Sequence, residues 1–177
     1  MRVKARLVRA IGDMMLHVHG GACPATLTMR FFLDKAIALN VGWNDRPLTE
    51  PDFYRLCKLH RVTVQEMPLR VSGFYYCVMG GHYIAIDSRL AAGKKLFVMF
   101  HEFAHYLMHA PDSGTTASFH GIGRKTRKER EADLFALVAL IPRIWIANRT
   151  AFEISSEEGM DPETVAERFQ IFKDRGI

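Results

Sequence analysis

Two pairs of ionisable side chains, His101/His105 and Glu129/Asp133, are each spaced four residues apart on expected helix faces that are otherwise apolar. Around the first pair, Phe97, Phe100, Ala104 and Met108 fall on one stripe of a helix expected from about Lys94 to His109. Around the second, Ala132, Ala136, Leu137 and Leu140 share the side of a helix with both acids. Acids on an apolar face need partners, because burying an unpaired charge is costly. A close approach of the two helices, which the small alanines of the second permit, brings the imidazoles and carboxylates together.

The first stripe reads HEFAH from His101, an HExxH pattern. Two histidines four apart lie about 40° apart around a helix and about 6 Å apart along it, so both rings can converge on one zinc ion. Glu102, one step round the helix, then faces a water on that ion. A metal can take Glu129 as a further ligand, while Asp133 can accept the outer N–H of a ligand histidine. Glu131 is the alternative third ligand, but it lies about 200° around the helix from Glu129, so only one of the two can point at the metal. Glu129 shares its face with Ala132, Asp133 and Ala136, whereas Glu131 shares its face with Leu134, Phe135 and Val138. That favours Glu129 and leaves Glu131 as an acid whose head reaches solvent, without a polar partner for a histidine. HExxH alone would also suit two buried structural histidines; the second pair of acids argues against that.

The run YIAIDSRLAAGKKLFVMFHEFAHYLMH followed by EREADLFALVALIP resembles the ImmA/IrrE family of bacterial and phage metallo-endopeptidases, which are gluzincin-like, over roughly Val62 to Pro142. The resemblance implies that His101, His105 and Glu129 bind zinc and that Glu102 activates water; at the position of Asp133 the family often has Asn. It also implies a partner class, since characterised relatives cleave, or relieve repression by, helix-turn-helix repressors of phage, mobile-element or stress-response genes. The metzincin continuation HExxHxxGxxH is missing, because Met108 and Pro111 stand at the required positions. His109 is eight residues beyond His101, about 12 Å along a helix, too far for all three histidines to hold one ion. It reads as an outer partner of a ligand or a helix-end residue.

A ligand set of two histidines and one glutamate leaves a zinc position open for water, whereas structural zinc sites are closed by four protein ligands. Glu102 is then the general base for attack of water on a peptide carbonyl. His120, Tyr106 and Tyr83 are candidates for the oxyanion donor, although a Tyr or His at such positions more often packs or caps.

The remaining sequence sets the frame. At 177 residues and 49% hydrophobic, the chain is expected to form one domain over 1–177, with a core at 49–142 and a C-terminal helical pair at 143–177. Helical patterns end near Ile11 and run from Leu27 to Ala38; Thr49, Pro51 and Asp52 form a capping signal for a helix to about His60. Strands follow at Val62 to Met67 and on both sides of a Gly80-Gly81 turn. The expected class is α+β: a mainly helical zincin-like domain with a small antiparallel sheet, and zinc between the HEFAH and EREAD helices. The segment from Pro111 to Arg130, with Arg124, Lys125, Arg127, Lys128 and Arg130, reads as a solvated loop and exposed helix start. Near the end, Gly159, Asp161 and Pro162 mark a turn between two helices, with Val165, Phe169 and Phe172 turned inward and Glu163, Glu167 and Arg168 on the other side.

Lys and Arg exceed the acids by only 24 to 19, which argues against specific nucleic-acid binding. Cys23, Cys57 and Cys77 show no CxxC pairing, no apolar leader follows the basic N-terminus, and the apolar run from Phe135, about 13 residues, is shorter than the roughly 20 needed to span a bilayer. A cytoplasmic zinc metallopeptidase without membrane contact is the reading that results. The alternative is a non-proteolytic, zinc-stabilised regulatory module that binds a repressor or DNA.

Overall fold

The computed structural model describes residues 24–110, 116–120 and 126–177. Tertiary contacts divide the chain into two compact units, Met1–Leu33 and Asp34–Ile177. Of the first unit, the described part is the opening of helix α1 (Pro24–Ala38), which covers the expected run from Leu27 to Ala38. The basic helix expected up to Ile11 lies outside the described residues, as do Arg124 and Lys125. Everything discussed below belongs to the second unit.

Helix α2 (Glu50–Leu59) starts where its local chemistry dictates. Thr49 is extended, Pro51 occupies the first turn, and Asp52 accepts the Thr49 backbone N–H at 3.0 Å and its hydroxyl at 2.9 Å. Arg46 grips the same carboxylate with two N–H donors at 2.7 and 2.8 Å.

Strands β1 (Val62–Met67), β2 (Gly73–Val78), β3 (Gly81–Asp87) and β4 (Thr116–His120) form one sheet in the order β1-β3-β2-β4. The β2–β3 hairpin is present, but its turn is centred one residue before the glycine pair. Met79 and Gly80 carry φ of 49° and 75°, and Gly81 already pairs with Val78. Positive φ at both central residues matches the twist of a tight hairpin.

The sheet corrects two expectations. It is mixed rather than antiparallel, because β1 runs parallel to β3, with Val62 opposite His82 and Met67 opposite Asp87. Residues 68–72 carry the chain past the place of one strand, about 10 Å in all, and β3 then returns into the gap. Residues 116–120, expected as part of a polar loop, instead add β4 beside β2, with Tyr75 opposite Ser118.

Helix α3 (Ala92–His109) lies on the sheet face that carries Gly73, Tyr75 and Ile84, and helix α4 (Arg127–Leu140) packs along its other flank. Every residue from Val98 to His105 is buried. Gly73 makes the approach to the sheet possible, since a Cβ there would lie 2.6 Å from Val98 Cγ1. The approach to α4 uses Ala104, Ala132 and Ala136, all fully buried. Pro142 then stands, in extended conformation, just before α5 (Arg143–Asn148). Gly159, at φ 63°, ends α6 (Ala151–Glu158), and Asp161 caps α7 (Pro162–Arg175), as the turn residues predict.

One residue of α7 departs from expectation. Arg168, placed by its sequence pattern on the solvated side, is fully buried, and it donates to Ile141 O at 2.8 Å and Asn44 Oδ1 at 2.9 Å. Val165 is buried as expected, with Phe169 and Phe172 half-buried. Among the described residues, no helix is long and apolar enough to cross a membrane.

Candidate metal centre

The α3 spacing sets His101 and His105 one turn apart on the flank that meets α4. Their Nε2 atoms are 3.1 Å apart. Glu129 stands in the first turn of α4, where its own backbone N–H is capped by Thr126 Oγ1 at 3.3 Å. Its side chain is therefore available to α3: Oε2 is 3.3 Å from His101 Nε2, and Oε1 is 3.3 Å from His105 Nε2. A carboxylate in the first turn is also favoured by the helix dipole.

These three separations test whether an ion fits. A tetrahedral zinc site with ligand bonds near 2.0–2.1 Å has ligand-to-ligand edges of about 3.3–3.4 Å. The triangle of 3.1, 3.3 and 3.3 Å agrees with that size, and His101, His105 and Glu129 could hold a metal ion. Two imidazoles and a carboxylate also form a donor set suited to zinc.

Charge in the pocket favours a cation. Burial by itself would lower the His101 pKa, but the Asp133 and Glu129 carboxylates, with Glu102 nearby, outweigh it and bring the value to about 9. Glu102 and His101 are both fully buried. Three acids around two imidazoles hold more negative charge than the rings can offset, and a divalent ion would balance it.

The outer nitrogens are partnered differently. His101 Nδ1 lies 2.9 Å from Asp133 Oδ1, the arrangement in which a carboxylate orients a metal-binding histidine. His105 Nδ1 lies 3.2 Å from His109 Nδ1. His109 Nε2 in turn lies 2.9 Å from Glu131 Oε2, and Arg127 Nε donates to Glu131 Oε1 at 2.8 Å. Burial pushes the His109 pKa below the usual histidine value despite the pull of Glu131. Burial would raise the Glu131 carboxyl, but His109 and Arg127 hold it below the usual range.

The expectation that Glu131 lacks a histidine partner is thus overturned. Glu131 is not one of the three residues grouped around the candidate ion site, but its offset of about 200° from Glu129 does not turn it from α3: its carboxylate reaches His109, the next ring along the His101–His105 stripe. The side it faces is occupied by His109 rather than by solvent alone. A count of donors asks only for a second acceptor, since two histidines held at one ion have two outer N–H groups and Asp133 can serve one; it does not say which residue supplies it.

The oxyanion candidates fare unequally. The Tyr106 hydroxyl contacts His60 Nδ1 at 3.4 Å inside an aromatic cluster with Phe103, Tyr75 and His82, so it is engaged away from the triad. Tyr83 stacks on Tyr76 at 4.9 Å. Alternation along the strands puts that pair on the sheet face opposite Tyr75, hence away from α3. His120 closes β4, paired with Gly73, and its side chain lies outside the described residues.

No match was found among curated proteins or among solved structures. The chain does match the Peptidase_M78 family, described as the IrrE N-terminal-like domain, over residues 57–173, a span that contains α3, α4 and the whole His/Glu cluster. The match and the geometry agree, and the chain belongs to this metallopeptidase family of IrrE N-terminal-like domains.

Proposed function

We propose that this chain is a zinc-dependent endopeptidase whose substrate is a protein, a helix-turn-helix transcriptional repressor of phage, mobile-element or stress-response genes. The observation that carries the enzymatic part is the ion-sized triangle of His101, His105 and Glu129 with the Glu102 carboxylate buried beside it. The repressor as substrate rests on the resemblance described above.

His101, His105 and Glu129 would hold the ion, a ligand set of the kind found in catalytic rather than structural zinc sites. When bound there, zinc supplies Lewis acidity, which acidifies a water and polarises a peptide carbonyl. Glu102 takes the proton of the attacking water and later delivers it to the leaving amine nitrogen. Asp133 keeps the His101 ring oriented through its 2.9 Å contact. The buried thiols Cys57 and Cys77, with the Cys57 pKa pushed up to about 12 by burial, fit a reducing cytoplasm. Specific nucleic-acid binding has no part in this reading.

Glu102→Gln separates catalysis from binding, because it removes the base and no ligand. The variant should fold, take up one equivalent of zinc per chain and lose cleavage by at least about 100-fold, the lower range of general-base contributions. The substrate to incubate with it is the product of the open reading frame neighbouring this gene, tested as a candidate repressor. Cleavage at the parent rate by Glu102→Gln would refute the mechanism. A parent that binds the repressor and zinc without cutting would favour the regulatory-module alternative.

A further inference from the structure

We propose that His109 is a positioning residue for His105, the end of a chain of fixed proton positions running from Arg127 through Glu131 and His109 to the metal face of His105. The inference deepens the zinc-site reading above and rests on it. An imidazole offers its Nε2 lone pair to a metal only when its proton sits on Nδ1. His105 Nδ1 is 3.2 Å from His109 Nδ1, and two nitrogens share a hydrogen bond only when one of them carries the proton. The far end of the chain decides which one.

Glu131 is a carboxylate, which only accepts, and Arg127 secures it in that form from its other oxygen. His109 Nε2, 2.9 Å from Glu131 Oε2, must therefore be the protonated nitrogen of the His109 ring. A neutral imidazole has a single N–H, so His109 Nδ1 is a lone pair and accepts. His105 then donates from Nδ1, and its Nε2 is left bare toward Glu129 and His101. The two histidines are thus fixed in the same tautomer by different means: His101 by Asp133 directly, His105 by a second imidazole.

The test compares zinc affinity of the full chain and three variants by competition with a chromophoric chelator, together with the visible spectrum of the cobalt-loaded proteins. Asn carries its Oδ1 where His carries Nδ1, so His109→Asn keeps an acceptor for His105; His109→Leu keeps bulk and loses it. His109→Leu should weaken zinc binding by about 10- to 100-fold, the usual cost of losing the partner of a metal-binding histidine, and should shift the cobalt bands. His109→Asn should stay near the parent, and metal-free thermal unfolding should be alike in both. Equal affinity in the parent and His109→Leu would overturn the proposal, and so would equal weakening in Leu and Asn. If His109→Leu does not fold, Glu131→Ala decides: weaker zinc binding supports the chain, and unchanged binding overturns it. A parent that takes up neither zinc nor cobalt would instead refute the zinc site itself.

Discussion

His101 and His105 obey the same spacing rule but stand on different supports, and Glu129 completes the triangle from another helix. Loss of a ligand should cost more zinc affinity than loss of a group that orients one. Glu129→Ala is therefore expected to bind zinc more weakly than Asp133→Ala, whose loss should be about 10- to 100-fold. Asp133→Asn keeps an oxygen for His101 Nδ1 and should recover most of that loss. Chelator competition on the three variants measures the order; zinc binding in Glu129→Ala at the parent level would exclude it as a ligand. The roles of His101, Glu102, His105, Glu129 and Asp133 could be proposed from sequence because each follows from helical periodicity, and the structure brings His101, His105, Glu129 and Asp133 into contact. The partnership of His109 with Glu131 was not legible, since it depends on how far α3 and α4 overlap along their axes, and local spacing carries no record of that.

At the scale of elements the same division holds between local and distant causes. Helix α2 and the α6–α7 turn were readable because Thr49, Asp52, Gly159, Asp161 and Pro162 act on backbone groups within a few residues of themselves. The parallel pairing of β1 with β3 was not, because alternation specifies a face and says nothing about which edge a neighbour joins. Strand β4 left a short signal, Ala117 and Phe119 alternating with polar residues, which the glycines and cations around it obscured. The α2 cap is testable by pH. Arg46 first, and the Thr49 groups with it, hold the Asp52 carboxyl well below its usual range against the opposing effect of burial. A depressed folded-state pKa means that its contribution is present above the unfolded value near 4 and is lost as pH falls below it. Asp52→Ala should destabilise the protein by about 1–2 kcal/mol at pH 7, the cost of a lost cap, and the gap should narrow as pH falls from about 4 to 2, with part of it left there because the folded carboxyl titrates lower still. Urea unfolding at about pH 7 and about pH 2 reads the difference; a gap of unchanged size in acid would assign the loss to packing instead.

Across the unit Asp34–Ile177, the candidate centre joins the two helices that bury more core residues than any other element. Ala104 of α3 and Ala132 and Ala136 of α4 are fully buried against their surroundings, and the three residues that could hold an ion come from the same two helices. Further ties reach α4 from distant parts of the chain: Trp43 Nε1 donates to Phe135 O at 3.2 Å, and Arg168 holds Ile141 O just past its end. An ion gripped by both helices can bind strongly only while they are packed, so its binding energy should add to the stability of the folded unit rather than of a loop. At a free zinc concentration about 100 times the dissociation constant, the gain is about 2.7 kcal/mol. For a chain of this size that corresponds to a rise in Tm of about 5–10 °C, at roughly 2–4 °C per kcal/mol. Differential scanning calorimetry of chelator-treated and zinc-loaded protein should show this shift, and Glu129→Ala, which leaves the ion with two ligands, should lose most of it. The two metal-free proteins should melt within a few degrees of each other, because Glu129 is partly exposed and sits at the helix start rather than in the packed face. A shift that survives in Glu129→Ala would place the ion elsewhere in the chain.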